Sequence, residues 1–228
     1  MKSTKLVAAL FVGMSLVGAS SALAQATTSD KPAQPSHEKH DGLAKHDKHD
    51  EQATAKVGEK APSFELKDTD GKTVKLEDFK GKIVVLEWFN PDCPFIVKHH
   101  EKNKTMVNTY GQFKDKGVVW LAINSSAAGK EGNGLQKNAE AKKNWNLPFP
   151  ILLDESGKVG KAYGAKNTPH MFIINKDGVL AYNGAIDDNN SPETAGKTNY
   201  VEKALNQLVK GETVTTAETK PYGCNVKY

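Results

Sequence analysis

The two cysteines of this 228-residue chain sit in different surroundings. Cys93 closes the run Ile83-Val84-Val85-Leu86-Glu87-Trp88-Phe89-Asn90-Pro91-Asp92-Cys93-Pro94, where an apolar strand should give way to a helix. A sulfur at the first turn of a helix feels the positive end of the backbone dipole and its unpaired N–H groups, which favours thiolate. Pro94 suits the first helical position, since its φ is preset and its missing N–H has no partner there. A reactive thiol, for redox or metal chemistry, is the expectation. Cys224 follows Pro221-Tyr222-Gly223 near the end, in a segment too polar and turn-rich for a core. It can resolve Cys93 through a long-range reversible disulfide, form a permanent structural bridge, or pair between molecules, and spacing leaves all three open.

Ionisable neighbours extend the candidate set. Glu87 interrupts the apolar run. Shielded from water, such a carboxyl serves as general acid or base, although alternation through Trp88 also permits a solvent-facing strand edge. His99 and His100 follow Cys93 on the same expected helix, but six or seven residues span about 9 to 10 Å of rise. That is too far for one ligand sphere of ~2 Å bonds, so packing or surface roles are expected for both. His37, His40, His46 and His49 form two His-x-x-His units, and with His170 they are the candidate metal ligands, for copper, zinc or nickel held loosely. A solvated linker without metal explains the same composition. No other cofactor is expected.

The elements that must position these groups can be read in outline. Lys2 and Lys5, an apolar stretch from Leu6 to Gly18, and Ala22-Leu23-Ala24 make residues 1–24 a cleavable secretory signal, so the mature protein is expected in the periplasm without a membrane span. Cleavage lowers the formal charge from +4 to +2, and lysines recur among acids, so nucleic acid is not expected as a partner. Residues 25–56 lack large apolar side chains and read as a disordered, His/Lys/Asp-rich linker. Residues 57–228 suit one domain. Short strands at 64–66 and 73–75 flank the turn Asp68-Thr69-Asp70-Gly71 as a hairpin, and 83–89 and 118–123 read as buried strands. Helices are expected over 94–110, 135–144 and around 200–208, with further strands at 151–153, 171–174 and 179–183. The alternation gives an α/β class, a central mixed sheet flanked by helices with an N-terminal hairpin extension.

Val57-Gly58-Glu59-Lys60-Ala61-Pro62-Ser63-Phe64, the segment Trp88 to Pro94, and Asn167-Thr168-Pro169 ahead of the strand 171–174 together resemble the thioredoxin-fold superfamily. The resemblance is to its redoxin branch, which includes peroxiredoxin-like (AhpC/TSA) and TlpA-like exported proteins. It implies that Pro169 is a cis-proline against the Cys93 sulfur, with the Thr168 backbone free to pair with an extended substrate. Trp88 and Pro94 are then expected to line the substrate's approach. Glu87, six residues before Cys93, takes the offset of the buried carboxylate that relays protons in thioredoxins.

Departures from the family pattern narrow the chemistry. Ile96 occupies the resolving position of Cys-x-x-Cys, so an attack product cannot be resolved locally. Leu86 and Asn90 stand at the Pro and Thr/Ser offsets of peroxiredoxins, and the chain has no arginine to hold a peroxide with a planar fork. The Cys-x-x-x-Cys of Sco-type copper chaperones, which share the fold, is absent. The expected function is thiol-disulfide exchange or antioxidant redox chemistry through Cys93, with Cys224 as resolver. Its partners are protein or small-molecule thiols and disulfides and a periplasmic electron donor. A thiol-dependent peroxidase and a non-enzymatic copper- or zinc-binding chaperone are the alternatives.

Overall fold

Six fully buried residues, Ile83–Trp88, form β3 at the heart of a seven-stranded sheet in the computed structural model, which describes residues 54–228. The secretory signal, the linker up to residue 53 and its histidines His37, His40, His46 and His49 lie outside the described residues. Thr54–Lys56, assigned to the linker, are described, and Ala55 is already buried, its N–H donating to the Ala162 carbonyl at 2.9 Å. The domain therefore packs from before Val57.

The elements run β1 (Glu65–Asp68), β2 (Thr73–Lys75), β3, α1 (Pro94–Val97), a π-helical turn (Lys98–Lys102), α2 (Thr105–Phe113), β4 (Val118–Asn124), α3 (Leu135–Asn144), β5 (Ile151–Leu153), α4 (Lys158–Tyr163), β6 (Asn167–Thr168), β7 (Met171–Ile174), β8 (Leu180–Gly184), α5 (Tyr200–Val209) and β9 (Cys224–Asn225). The sheet order is β2-β1-β5-β4-β3-β7-β8, with β3, β4 and β5 parallel and the remaining pairs antiparallel. This is the mixed α/β sheet of a thioredoxin-like fold, and the hairpin β1–β2 extends one edge.

Alternation along β3 divides the interior. Ile83, Val85 and Phe89 enter a cluster that also takes Cys93, Met106 and Phe113, with Val201 and Leu205 of α5. Val84, Leu86 and Trp88 enter a second cluster with Tyr163 and Phe172. Because side chains alternate across a strand, Trp88 lies on the face opposite Cys93. The role given to Trp88 in substrate approach is thus corrected: it is fully buried, its indole N–H donates to Ser125 Oγ at 3.0 Å, and its ring packs on Tyr163 and Phe172.

The continuous helix expected over 94–110 is also corrected. After one turn the chain widens into the π-helical segment, and α2 restarts behind Lys104, whose φ is 51°. Lys98, His99 and His100 are all buried, which a helix with one apolar stripe does not allow. The helix is covered on two sides, and the π-turn directly after Cys93 is of a kind found frequently at functional sites. Sequence reading missed α4, β6 and β9. Both β6 and β9 are two residues long and carry no alternation to detect.

Candidate active site

Cys93 is the N-cap of α1, and its carbonyl accepts from the N–H groups of Ile96 and Val97 at 2.9 and 3.0 Å. Those N–H groups serve the backbone; none caps the Cys93 side chain. The sulfur instead donates to the Thr168 carbonyl at 3.0 Å, and Thr168-Pro169 is a cis peptide. Cys224 Sγ lies 2.8 Å from Cys93 Sγ, and both are free thiols. Cys93 is 1% exposed. The open sulfur expected at a helix mouth is therefore closed over, and what covers it on this side is the tail carrying Cys224.

The tail reaches this position through backbone pairing. Its strand β9 runs antiparallel to β6, with Thr168 opposite Cys224 and Asn167 opposite Asn225. Val226 N–H donates to the Lys166 carbonyl at 3.0 Å, and Asn167 Nδ2 donates to the Gly223 carbonyl at 3.1 Å. Farther on, Lys227 pairs with Glu131 at 2.9 Å, and the Tyr228 hydroxyl donates to the Ala165 carbonyl at 2.8 Å. Burial, and then the hydrogen bond with Cys93 beside it, pushes the Cys224 thiol up to about 12, against the opposing charge of Lys227. Docked, Cys224 is held as a neutral thiol.

Two polar clusters flank the helix that follows Cys93. On the core side, Glu87 is fully buried: one carboxylate oxygen meets His100 Nε2 at 2.6 Å, and the other accepts from the Trp120 indole at 2.9 Å. His100 stacks on Trp145, and its Nδ1 is buried without a partner. Both Glu87 oxygens are thus engaged, and neither hydrogen bond reaches Cys93. On the tail side, the Tyr222 hydroxyl donates to Asp187 Oδ1, with His99 Nε2 at 2.9 Å and Lys98 Nζ at 3.4 Å. Since the phenol proton goes to Asp187, His99 is the donor to the phenol oxygen. Burial pushes His99 down to about 3, and burial likewise lowers Lys98 while Asp187 opposes it. Tyr222 is raised, first by burial and then by its bond to Asp187.

The remaining candidates separate. Pro94 is exposed at the first position of α1, next to the sulfur. His170 follows the cis-proline, but both ring nitrogens are occupied: Nδ1 accepts from the Lys166 N–H at 3.2 Å and Nε2 donates to Asn183 Oδ1 at 2.7 Å. Burial pushes it down to about 4, and neither nitrogen is free for a metal. Among the described residues no group of three or more His, Cys, Asp or Glu side chains is arranged to hold a metal ion. Sequence reading did not assign roles to Lys98, Tyr222 or Asp187. The available signal was Tyr222-Gly223 directly before the second cysteine, an aromatic and a glycine in an otherwise polar tail.

A model of the AhpC/TSA family matches residues 57–183. The chain belongs to the AhpC/TSA family. Among curated proteins it is similar to thiol-disulfide oxidoreductase ResA of Bacillus thuringiensis subsp. konkukian, 36% identical over 123 residues, 54% of this chain and 65% of that protein. The match therefore spans just under two thirds of that relative's length. ResA of Halalkalibacterium halodurans is 28% identical over 71% of this chain and 82% of that protein. Of solved structures, an uncharacterized conserved protein from Geobacillus kaustophilus superposes with a TM-score of 0.69 at 31% identity, covering 76% of this chain and 92% of that one. A DsbE-type thiol:disulfide interchange protein from Chlorobium tepidum, at 23% identity and a TM-score of 0.52 over 69% of this chain and 98% of that one, shares the fold.

Proposed function

We propose that this protein is an exported thiol-disulfide oxidoreductase in which Cys93 is the nucleophile and Cys224 the resolving thiol. The observation that carries the reading is the meeting of two free sulfurs, 2.8 Å apart, at the cis Thr168-Pro169 corner. Similarity to proteins named thiol-disulfide oxidoreductase supports it, as does the absence of any closer partner for Cys93 within Cys-x-x-Cys spacing. In the reductive direction, Cys93 loses a proton and attacks one sulfur of a substrate disulfide. That bond breaks, a mixed disulfide forms, and the other substrate sulfur leaves as a thiolate that takes up a proton. Cys224 then attacks the Cys93 sulfur, forming the Cys93–Cys224 disulfide and releasing the second substrate thiol. Two electrons have passed from the protein to the substrate, and an external dithiol donor restores the protein.

Thr168 and Pro169 shape the approach, and exposed Pro94 borders it. Glu87, expected from the resemblance to relay protons, bonds to His100 and the Trp120 indole rather than to Cys93. Export rests on the residues 1–24 pattern; no helix among the described residues is long and apolar enough to cross a membrane. The peroxidase alternative lacks the planar cation that would hold a peroxide at sulfur, since the chain has no arginine.

The test is turnover of a model disulfide with excess dithiol reductant. Cys93→Ser should abolish it, and Cys224→Ser should permit one round of mixed-disulfide formation while lowering multiple turnover at least tenfold. Wild-type turnover that survives Cys93→Ser would contradict the assignment.

A further inference from the structure

The tail occupies the edge that an extended substrate needs. Its pairing with Asn167 and Thr168, and the Val226 bond to Lys166, are main-chain contacts that any polypeptide can make on joining a strand. Two further features of the tail are specific to its sequence.

The first is Gly223. Its φ is 116°, and a Cβ placed there would stand 2.2 Å from the Thr168 carbonyl oxygen and 3.3 Å from Pro169 Cδ. The residue before the cysteine must pass flat across the cis-proline corner, and only glycine does so without a clash. The second is Tyr222, one residue earlier. Its ring lies 5.7 Å from that of Phe95 and under the Lys98 ammonium, 5.1 Å from the ring centroid. Its hydroxyl sits where Lys98, His99 and Asp187 converge, three side chains that are 0%, 0% and 2% exposed.

Burying an ammonium, an imidazole and a carboxylate together is expensive unless a partner satisfies them. Apart from the Tyr222 phenol, the Lys98 ammonium has the Asn189 carbonyl at 2.7 Å and the Asp187 carboxylate at 4.0 Å, and Asp187 accepts from the N–H groups of Asn189 and Gly196 at 3.1 and 2.6 Å, while His99 Nδ1 has no partner. An aromatic wall with convergent polar groups set around one hydroxyl has the make-up of a ligand pocket, here filled by the protein's own chain. Cys93 is 1% exposed with the tail in place, so a substrate reaches it when the tail lifts.

We infer, resting on the exchange reading above, that the substrates are extended polypeptides whose disulfide-bonded cysteine follows Tyr-Gly, and that Pro221–Val226 is an internal copy of that ligand. Tail and substrate then occupy the same edge in turn. With the tail lifted, the substrate seats its tyrosine among Phe95, Lys98, His99 and Asp187, and its disulfide reaches Cys93. After Cys93 has attacked, the returning tail reclaims the Thr168 edge and the tyrosine pocket and brings Cys224 onto the mixed disulfide. The bond from Cys93 to the substrate sulfur breaks, the bond to Cys224 forms, and the substrate cysteine leaves as a thiol. Resolution and product expulsion become one event.

The test uses the full chain with Cys224→Ser, which leaves Cys93 as its one thiol. Three peptides are offered: a copy of residues 220–226, the same with alanine for the tyrosine, and the same with alanine for the glycine. Each carries its cysteine as a nitrothiobenzoate mixed disulfide, and release of the coloured arylthiol reports attack by Cys93. The unaltered copy should react about tenfold faster than either alanine form, the scale of losing one anchoring contact. Adding Tyr222→Ala to the protein should speed the unaltered copy by about tenfold, because the competing tail is displaced more of the time. Equal rates for the three peptides would overturn the inference and leave the exchange reading standing. No reaction with any peptide, nor with a free aryl disulfide in the doubly substituted protein, would overturn both. Should Tyr222→Ala unfold the protein, the comparison of peptides on Cys224→Ser alone decides.

Discussion

His99 and His100 are neighbours in the chain, yet the polar clusters they serve are closed by different things. His100 joins Glu87 and Trp120 against the buried rings of Phe89 and Phe149 and the partly buried ring of Trp145, all from the folded domain. His99 joins Asp187, Lys98 and Tyr222, and Tyr222 belongs to a half-buried tail of short pairings. One cluster is closed by the body of the domain, whereas the other is closed in part by the C-terminal tail. A single π-helical turn carries both, so the segment after the nucleophile packs on the domain interior on one side and on the C-terminal tail on the other. Local opening of short surface pairings is one route by which a buried group becomes reactive.

The sharpest way to break this contrast is to substitute one residue in each cluster. Glu87→Ala leaves His100 and the Trp120 indole without their shared acceptor inside the core, and should lower global stability by about 3 to 5 kcal/mol in urea denaturation. Tyr222→Phe keeps the ring and loses the hydroxyl. Water can enter behind a lifted tail, so it should lower global stability by no more than about 1 kcal/mol. Its effect should appear as faster hydrogen exchange at the amides of Cys224 to Val226. Similar global losses from both substitutions would erase the distinction between the two clusters.

A separate effect is expected from acid. His99 is pushed down to about 3 and His170 to about 4, in each case first by burial. The groups facing His99 are Asp187, which opposes the shift, Lys98 and His100, which add to it, and the Tyr222 hydroxyl. With folded values below the unfolded value of about 6.5, the unfolded chain binds more protons between them. Their contribution to stability is therefore complete above about pH 6.5 and lost as the pH falls toward the folded values. Melting temperatures recorded from about pH 7 to about pH 4 should drop, with His99→Asn flattening part of that slope. An unchanged slope in His99→Asn would show that the tail-side histidine is not among the groups that titrate.

Much of the architecture was legible because it rests on local patterns. The apolar run to Trp88, the turn at Asp68–Gly71, the helix 135–144 and the amphipathic stretch from Tyr200 all declare themselves within a dozen residues. The Cys93 and Thr168-Pro169 corner was legible through family resemblance. What could not be read depends on contacts between distant segments. Nothing near Lys98 announces that a positive charge will be buried under a phenol more than a hundred residues away, and the Asp187 carboxylate looks like a loop residue until Tyr222 reaches it. Trp88 misled for a related reason: its neighbourhood in sequence to Cys93 concealed its place on the other face of the sheet. The helix after Cys93 misled because propensity carries no sign of covering on two sides.

The central claim is that Cys93 and Cys224 form one reversible redox pair closed by a mobile tail. Its most direct test is a redox titration of the full chain in thiol-disulfide buffers, with free thiols trapped and the bridge located by peptide mapping. The account predicts a single two-electron transition between two free thiols and a Cys93–Cys224 disulfide, fully reversible in both directions. Two thiols that stay free across the whole range, or a bridge that once formed resists an excess of dithiol, would contradict it.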